Sequence, residues 1–324
     1  ENGRRESNWD FGTNPCSEII LRPNQFCNLT EIVVRAGDTV NTLTRKIKVA
    51  TLLGTIQSTF TNFGYLRKRW QDNTEEERLL GVSLTGIMDS ELLNGKEAGL
   101  EKTLEKLKKV AVDCNKEYAD KFGINQSTAI TCVKPSGTVS QLVDSASGIH
   151  ARHNPYYIRT VRGDNKDPLT EFLKASGIPN EADVMKKEHT TVFSFPMMAP
   201  KGSVCRTDMT AIEQLEIWKI YAKHWCEHKP SVTISVKEEE WVPVGAWCWE
   251  NFEYLSGVSF LPFSDHTYQQ APYQDIDEKT YKKLVKAMPT TIDWTKLQDF
   301  EKEDNTKGSQ ELACTAGVCE LVDI

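Results

Sequence analysis

Apolar positions follow two periods along the chain, and segments of the two kinds alternate. Spacings of three and four residues predict helices over residues 39–70, 96–122 and 211–228. Short apolar runs predict strands over residues 17–21, 28–34, 80–87, 128–133, 191–195 and 231–236. Because helices that connect successive strands are typical of parallel sheets, the pattern predicts an α/β fold. The pattern does not distinguish a barrel from an open sheet.

Composition narrows the class of protein. Hydrophobic residues make up 39% and charged residues 26% of the 324 positions, which is typical of a globular protein. The sequence has no run of 18 apolar residues, so we expect no spanning helix and no membrane partner. A net charge of -7 argues against a surface for a nucleic-acid polymer. Nine cysteines without a compact framework predict free thiols and a cytoplasmic location.

The segment from Asn14 to Glu18 carries the strongest chemical signal. A carboxamide, a thiol and a carboxylate occupy alternate positions, at Asn14, Cys16 and Glu18. In an extended segment these side chains point to one side together. A sulfur radical on Cys16 could then abstract a sugar hydrogen, while Glu18 takes a hydroxyl proton that Asn14 helps to hold. The same residues also fit a turn with a buried cysteine, because a free cysteine commonly behaves as a small hydrophobic residue.

Other cysteines fall into a patterned group and an unpatterned group. Cys27 follows Cys16 by eleven residues, and Cys314 and Cys319 lie five apart near the end of the chain. Paired cysteines can bind zinc, but two ligands are too few and the tail has no histidine. A dithiol that exchanges with another disulfide explains the pair better. The cysteines without such a pattern are predicted to be structural: Cys114, Cys132, Cys205, Cys226 and Cys248.

The chain turns polar and charged from about Asp293, which is typical of a linker. We therefore predict a mobile arm that carries Cys314 and Cys319. The domain boundaries that follow are 1–292 for the main body and 293–324 for the tail.

A second candidate site follows the strand predicted over residues 128–133. Glycine and hydroxyl residues after a strand can turn backbone N–H groups towards an anion. A plain turn with a helix cap is the alternative. His150 and Arg152, shortly downstream, could be phosphate contacts or ordinary residues, and no role is assigned to them. The candidate phosphate-binding residues are Pro135, Ser136, Gly137, Thr138, Val139 and Ser140.

Several segments together resemble the large chain of ribonucleotide reductases. Asn14 to Ile19 with Cys27-Asn28-Leu29 is similar to the catalytic loop of that family, and Cys314 and Cys319 are similar to its shuttle cysteines. The resemblance runs from Asn14 to Cys319. Further segments that agree are Gly81 to Gly86, Lys134 to Thr138, Gly148 to His150, Tyr156 to Arg159 and Leu261-Pro262.

The resemblance implies a more specific fold. It implies the C-terminal half of a ten-stranded α/β barrel made of two five-stranded halves. The Cys16 loop would pass through its centre as a finger, and a flexible tail would follow the barrel. The N-terminal half of the same reductase is expected as a separate chain that completes the barrel.

The resemblance also implies a reaction, the reduction of a ribonucleotide to a 2′-deoxyribonucleotide. A radical on Cys16 would remove the 3′ hydrogen, and Glu18 would assist loss of the 2′ hydroxyl as water. Cys27 and a second thiol would supply two electrons and form a disulfide. Cys314 and Cys319 would reduce that disulfide, with a thioredoxin-like dithiol protein as final reductant. Ser17 would join residues 135–140 in binding substrate.

The source of the radical has three alternatives within the resemblance. The sequences of residues 81–86 and 132–137 are most similar to those of the adenosylcobalamin-dependent class II type. This type implies adenosylcobalamin as the cofactor, and we expect no metal bound by the protein itself. A class I chain driven by a metal-radical subunit should carry adjacent tyrosines near the end of the barrel, and residues 261–288 have none. A glycyl-radical relative should carry its own motif near the C-terminus, which residues 315–318 do not resemble. A non-catalytic thiol carrier is disfavoured because Asn14, Cys16 and Glu18 are all present.

Overall fold

The computed structural model describes residues 3–263 and 268–301, together with the backbone of residues 311–315 and 318–322. The strands are β1 (Gly12–Thr13), β2 (Ile20–Leu21), β3 (Asn28–Val33), β4 (Leu80–Thr85), β5 (Thr131–Cys132), β6 (Tyr156–Asp164), β7 (Asn180–Ala182), β8 (Thr190–Met198), β9 (Val232–Val236), β10 (Val258–Pro262), β11 (Tyr273–Asp275), β12 (Glu311–Thr315) and β13 (Val318–Val322). The α-helices are α1 (Val40–Gln57), α2 (Lys68–Glu77), α3 (Leu100–Phe122), α4 (Val139–Leu142), α5 (Pro168–Ala175), α6 (Ala211–His224), α7 (Trp241–Glu250), α8 (Glu278–Ala287) and α9 (Leu297–Phe300). This arrangement confirms the predicted α/β class.

The chain forms two compact units. The first unit comprises Glu1–Arg152 and Ala199–Ser264, and the second comprises His153–Met198 and Asp265–Ile324. The division into residues 1–292 and 293–324 stays a prediction. In the described ranges, no helix combines the length and the apolarity needed to cross a membrane.

Parallel strands form the centre of the first unit. β3 pairs with β4 and β4 pairs with β5, both in parallel. A parallel bridge between Val133 and Pro230 links the end of β5 to the chain just before β9, and β9 pairs in parallel with β10. The strand order is therefore β3-β4-β5-β9-β10. Within the described residues, β3 and β10 each have one neighbouring strand, so they form the two outer edges.

Helices cover this sheet because their apolar residues recur on one side. Leu43 and Ile47 of α1 and Leu104 and Leu107 of α3 are fully buried. All six residues of β4 are buried, as expected for a central strand of a covered parallel sheet. The buried residues of these helices and strands form one apolar core.

The single helix predicted over residues 39–70 is wrong. α1 ends at Gln57 and α2 begins at Lys68. At the break, the Ser58 hydroxyl donates to the Thr55 carbonyl and the Thr59 hydroxyl donates to the Ile56 carbonyl, both at 2.7 Å. These side chains satisfy carbonyl groups at the end of the helix, which allows the chain to leave it.

The second unit is built on an antiparallel sheet with the order β11-β6-β8-β7. β6 and β8 pair along nine residues, from Tyr156 opposite Met198 to Asp164 opposite Thr190. The ring of Phe172 on α5 lies 5.4 Å from the ring of Trp294 and 5.7 Å from that of Phe300. Packed side chains therefore extend to Phe300, into the segment whose composition predicts a linker.

The cysteine pair predicted to act as a shuttle lies on two short antiparallel strands. β12 pairs with β13, and Cys314 is directly opposite Cys319. Their side chains lie outside the described part of the structure, as do residues 302–310 of the predicted linker.

Candidate active site

Cys16 lies at the tip of a short hairpin. β1 and β2 pair in an antiparallel manner, and residues 14–19 connect them. The Ser17 N–H donates to the Asn14 carbonyl at 2.9 Å, which closes a turn with Pro15 and Cys16 at its centre. Proline suits this position because its φ is already fixed. Ser17 has φ 60°, a left-handed conformation that few non-glycine residues adopt. The strand predicted over residues 17–21 is therefore reduced to β2.

The three candidate side chains of this loop do not share one face. Cys16 is exposed, whereas Glu18 has no exposed surface. The Asn14 side-chain oxygen accepts a hydrogen bond from the Ile19 N–H at 3.0 Å. The expected alternation is replaced by a turn in which Asn14 shapes the loop, Glu18 is buried beneath it and Cys16 faces outward.

Glu18 has one carboxylate oxygen satisfied and one unsatisfied. The Lys134 ammonium donates to Oε1 at 3.1 Å. Oε2 is buried and has no hydrogen-bond partner among the described residues. Burial alone would lower the pKa of Lys134, but the hydrogen bond and negative charge of Glu18 raise it overall. A buried carboxylate oxygen without a partner marks a place where a ligand hydroxyl or a water can donate.

Residues distant in sequence anchor the hairpin. The Lys229 N–H donates to the Glu18 carbonyl at 3.0 Å, and Arg5 donates to the Ile20 carbonyl at 2.8 Å. His228 bridges two strands, because Nδ1 accepts from the Ile20 N–H at 3.4 Å and Nε2 donates to the Leu80 carbonyl at 2.9 Å. Burial, aided by the charge of Arg5, lowers the pKa of His228 to about 4. The imidazole is therefore neutral at neutral pH, as the hydrogen bond accepted by Nδ1 requires.

Arg5 also belongs to a buried ion pair. Its guanidinium contacts both oxygens of Glu77, at 2.8 and 2.7 Å. Burial opposes the charge of Glu77, but hydrogen bonds from Arg5 and Gln25 and the nearby charge of Arg22 lower its pKa overall. The pair ties the segment before the hairpin to the end of α2.

The side chains of Cys27 and of Ile19 in the hairpin meet over Gly81 of β4. A Cβ atom placed on Gly81 would lie 2.3 Å from Leu29 Cδ2, 3.0 Å from Ile19 Cδ1 and 3.4 Å from Cys27 Sγ. Only glycine therefore allows these three side chains to meet over β4. Burial raises the pKa of Cys27, and the charge of Glu18 adds to the increase. Cys27 thus remains a protonated thiol at neutral pH.

The candidate phosphate loop begins at the residue that contacts Glu18. The Lys134 N–H donates to Ser83 Oγ at 2.8 Å. Ser136 has φ 57°, and its hydroxyl is buried without a partner among the described residues. The Ser140 hydroxyl donates to the Ser136 carbonyl and lies 2.7 Å from Ser147 Oγ. The exposed residues of the loop are Gly137, Thr138 and Val139, while Pro135 is partly exposed.

Two residues to which no role was assigned are held by the protein itself. The Arg152 guanidinium contacts both Asp89 oxygens at 2.8 Å. His150 Nδ1 donates to the Ser147 carbonyl at 2.8 Å, and its Nε2 accepts from the Thr233 N–H at 3.0 Å. These contacts give both residues a structural role next to the loop.

The cysteines predicted to be structural lie mostly in the interior. Four of them are buried and Cys248 is partly buried. Burial raises the pKa of Cys132 well above its usual range. In the described residues, no group of three or more His, Cys, Asp or Glu side chains is placed to hold a metal ion.

Comparisons with known proteins agree with the predicted resemblance. The chain is 27% identical over 345 residues to an adenosylcobalamin-dependent ribonucleoside-triphosphate reductase of Lactobacillus delbrueckii subsp. bulgaricus, covering 96% of this chain and 45% of the relative. It is 28% identical over 344 residues to the corresponding reductase of Lactobacillus acidophilus, with the same coverage. A solved B12-dependent, class II ribonucleotide reductase superposes with a TM-score of 0.77 at 26% identity, covering 91% of this chain and 44% of that one. The predicted resemblance to ribonucleotide reductases is confirmed.

The resemblance covers only part of each relative. The chain spans about 45% of the length of the curated reductases it matches. No family model matches the chain. Sequence reasoning gave Lys134, His228 and Arg5 no role at the site. The contacts of Lys134 and His228 to the hairpin span 116 and 208 positions of the chain, so no local pattern predicts them.

Proposed function

We propose that this chain supplies the radical-bearing part of a ribonucleotide reductase. The observation that carries the proposal is the pairing of an exposed Cys16 with a buried Glu18, whose Oε2 has no partner among the described residues. An accessible thiol two residues from an unsatisfied carboxylate is what hydrogen abstraction and proton removal on one sugar require. The kinship with ribonucleoside-triphosphate reductases supports a ribonucleotide as the substrate.

The reaction assigns one task to each group. The Cys16 sulfur radical removes the 3′ hydrogen atom, and Glu18 takes the proton of the adjacent hydroxyl on Oε2. The 2′ hydroxyl then leaves as water after it receives a thiol proton. Cys27 and a second thiol lose two electrons in total and form a disulfide, and the second thiol hydrogen is delivered to C2′. Glu18 returns its proton to the 3′ oxygen, and Cys16 returns its hydrogen atom to C3′. Ribonucleotide and two thiols thus give deoxyribonucleotide, one disulfide and water.

Protonated Cys27 suits this scheme. Its raised pKa keeps the hydrogen on sulfur until it is needed. Asn14 fixes the loop by accepting from Ile19, so its role is to position Cys16. Ser17 and residues 135–140 would hold the substrate phosphates. The Ser136 hydroxyl, which has no partner among the described residues, would be one donor.

Adenosylcobalamin is the proposed source of the radical. It carries its own macrocyclic metal ligands, so it needs access to Cys16 rather than a cluster of protein ligands, and the exposed tip at Pro15 and Cys16 fits that need. When bound, adenosylcobalamin supplies the radical that removes the hydrogen atom from the Cys16 thiol. The names of the relatives favour this source over a metal-radical subunit or a glycyl radical.

The five parallel strands of the first unit fit one half of the implied ten-stranded barrel. We propose that the rest of the reductase adds strands beside the outer strands β3 and β10. Leu29 on β3 and Leu261 on β10 are exposed and would be covered by such strands. The Cys16 hairpin would then be the finger inside the closed barrel.

Cys314 and Cys319 are proposed to pass electrons from a thioredoxin-like protein to the Cys27 disulfide. Directly opposite residues of an antiparallel pair have Cα atoms about 4.5–5.5 Å apart, which lies within the range that a disulfide spans. A pair in this register can therefore form a disulfide reversibly. Free thiols elsewhere in the chain suit a reducing compartment such as the cytoplasm.

The experiment is a Cys16→Ser substitution in the assembled reductase, with Cys248→Ser as the matched control. With adenosylcobalamin and a dithiol reductant, we expect the unchanged enzyme and the control to form deoxyribonucleotide. The Cys16→Ser enzyme should form none above background, because an alcohol O–H bond is too strong to serve as the hydrogen relay. Deoxyribonucleotide formation by Cys16→Ser would refute the proposal. Activity that needs a metal-radical subunit instead of adenosylcobalamin would change the radical source alone.

A further inference from the structure

Lys134 connects two parts of the candidate site that lie far apart in sequence. Its ammonium group donates to Glu18 Oε1 at 3.1 Å, across 116 positions of the chain. Its side chain is 33% exposed, whereas that of Glu18 is fully buried. The next residue, Pro135, begins the candidate phosphate loop. One residue therefore touches the proposed proton acceptor and starts the proposed substrate loop.

The backbone around Lys134 is fixed from two sides. Its N–H donates to Ser83 Oγ on β4 at 2.8 Å. Gly148 has φ 54°, and a Cβ placed there would lie 2.4 Å from the Lys134 carbonyl oxygen. Only glycine permits this close approach. The backbone that carries the Lys134 side chain is therefore held in place next to Glu18.

We propose that Lys134 is a positioning residue for Glu18, which holds the carboxylate charged and directs Oε2 towards the substrate. The inference rests on the proposed function and adds to it a residue that the Cys16 motif does not contain. By occupying Oε1, the lysine leaves Oε2 as the oxygen that receives the hydroxyl proton. Lys134 keeps its own proton throughout, so the proton passes from the sugar hydroxyl to Oε2 and no electrons move.

The electrostatic surroundings of Glu18 support a need for such a cation. The charge of Glu18 acts on Lys134, Cys27 and Cys132, and the Arg5 guanidinium contacts the Ile20 carbonyl two residues further along the hairpin. The two thiols are buried and remain neutral at neutral pH, since burial raises both pKa values. Lys134 also lies near Cys16. Because burial disfavours a charged carboxylate, a cation bonded to Oε1 is the contact expected to offset that cost.

The test compares Lys134→Met and Lys134→Arg in the assembled reductase. Methionine keeps much of the side-chain length without the charge, while arginine keeps the charge. We expect Lys134→Met to lower kcat about 10- to 100-fold near neutral pH with KM changed much less, and Lys134→Arg to restore most of the loss. The acidic limb of the pH–rate profile should move to higher pH in Lys134→Met, because a nearby cation favours the charged form of a carboxyl group and methionine removes it. Lys109→Met is the matched control, since it removes a surface lysine bonded to Asp113.

A second readout does not depend on turnover. Infrared titration should show a protonated carboxyl band that disappears with rising pH, assigned to Glu18 by its loss in Glu18→Gln. That band should persist to higher pH in Lys134→Met than in the unchanged enzyme or in Lys134→Arg.

The outcomes separate the two proposals. An unchanged enzyme that forms no deoxyribonucleotide would defeat the proposed function. If the unchanged enzyme is active, a Lys134→Met enzyme with the same kcat, pH profile and carboxyl titration would overturn the role of Lys134 alone. Equal losses in the methionine and arginine variants without a shift of the pH profile would also overturn it, since charge would then not matter.

Discussion

The Cys16 hairpin and the loop of residues 135–140 lie at the same site but are stabilised in different ways. Long-range contacts hold the hairpin, from Arg5, Lys134, His228 and Lys229. The second loop is held mainly by near neighbours in sequence, such as the hydroxyl contact between Ser140 and Ser147. It keeps a buried hydroxyl without a partner among the described residues.

The contrast matches the tasks proposed for the two segments. A sulfur radical must be held at a fixed distance from one sugar carbon, so its loop gains from many fixed partners. A loop that binds phosphate must instead keep donors free for the ligand. The following substitutions test this contrast, in order of decreasing effect on stability.

The strongest expected effect comes from removing the buried cation behind the hairpin. Arg5→Met should lower the free energy of unfolding by about 3–5 kcal/mol, because it leaves Glu77 buried without its main partner. Chemical denaturation measures this loss. Lys109→Met breaks an exposed pair with Asp113 and should cost less than about 0.5 kcal/mol. Equal losses in the two variants would show that the hairpin does not depend on its distant anchors.

The lowered pKa of His228 determines how the attachment of the hairpin to β4 responds to acid. Its pKa is about 4 in the folded protein and 6.5 when exposed, so the unfolded chain binds more protons between these values. Stability should therefore fall as pH falls through this window, by about 3 kcal/mol in total. Unfolding measured across the window should show a flatter pH dependence in His228→Gln. An unchanged slope in that variant would assign the acid sensitivity to other groups.

The smallest effect on stability is expected in the second loop. Ser136→Ala removes a hydroxyl that has no partner among the described residues, so the free energy of unfolding should stay within about 1 kcal/mol of its original value. If the hydroxyl binds a substrate phosphate, KM should rise about 10-fold with kcat nearly unchanged. Steady-state kinetics, together with chemical denaturation, distinguish a substrate-binding role of Ser136 from a structural one. A lower stability with an unchanged KM would give Ser136 a structural role.

Local patterns in the sequence predicted much of the fold. The apolar stripe of α3 and the short runs of β3, β4 and β9 are visible within a few residues, and the structure has elements there. The break between α1 and α2 was missed because the apolar spacing continues to Phe60. The hydroxyls of Ser58 and Thr59 were the available signal, since such side chains favour helix ends.

The chemistry of the site was only partly predictable. Asn14, Cys16 and Glu18 are adjacent in sequence, so their motif could be recognised, but their different exposures depend on the turn at Ser17. The contact between Glu18 and Lys134 depends on how β2 and β5 are brought together in the fold. No local pattern in a single sequence encodes a contact of that range.

Gly81 carries a lesson for engineering. The Gly81 position contributes only a hydrogen atom, which leaves room for Leu29, Ile19 and Cys27. Filling it with a methyl group, a common way to stiffen a glycine-containing strand, would push against Leu29 and Ile19 and transmit the displacement to the catalytic turn. In this strand an empty volume lets Cys27 and Ile19 pack side by side, and added rigidity would be gained at the expense of that packing.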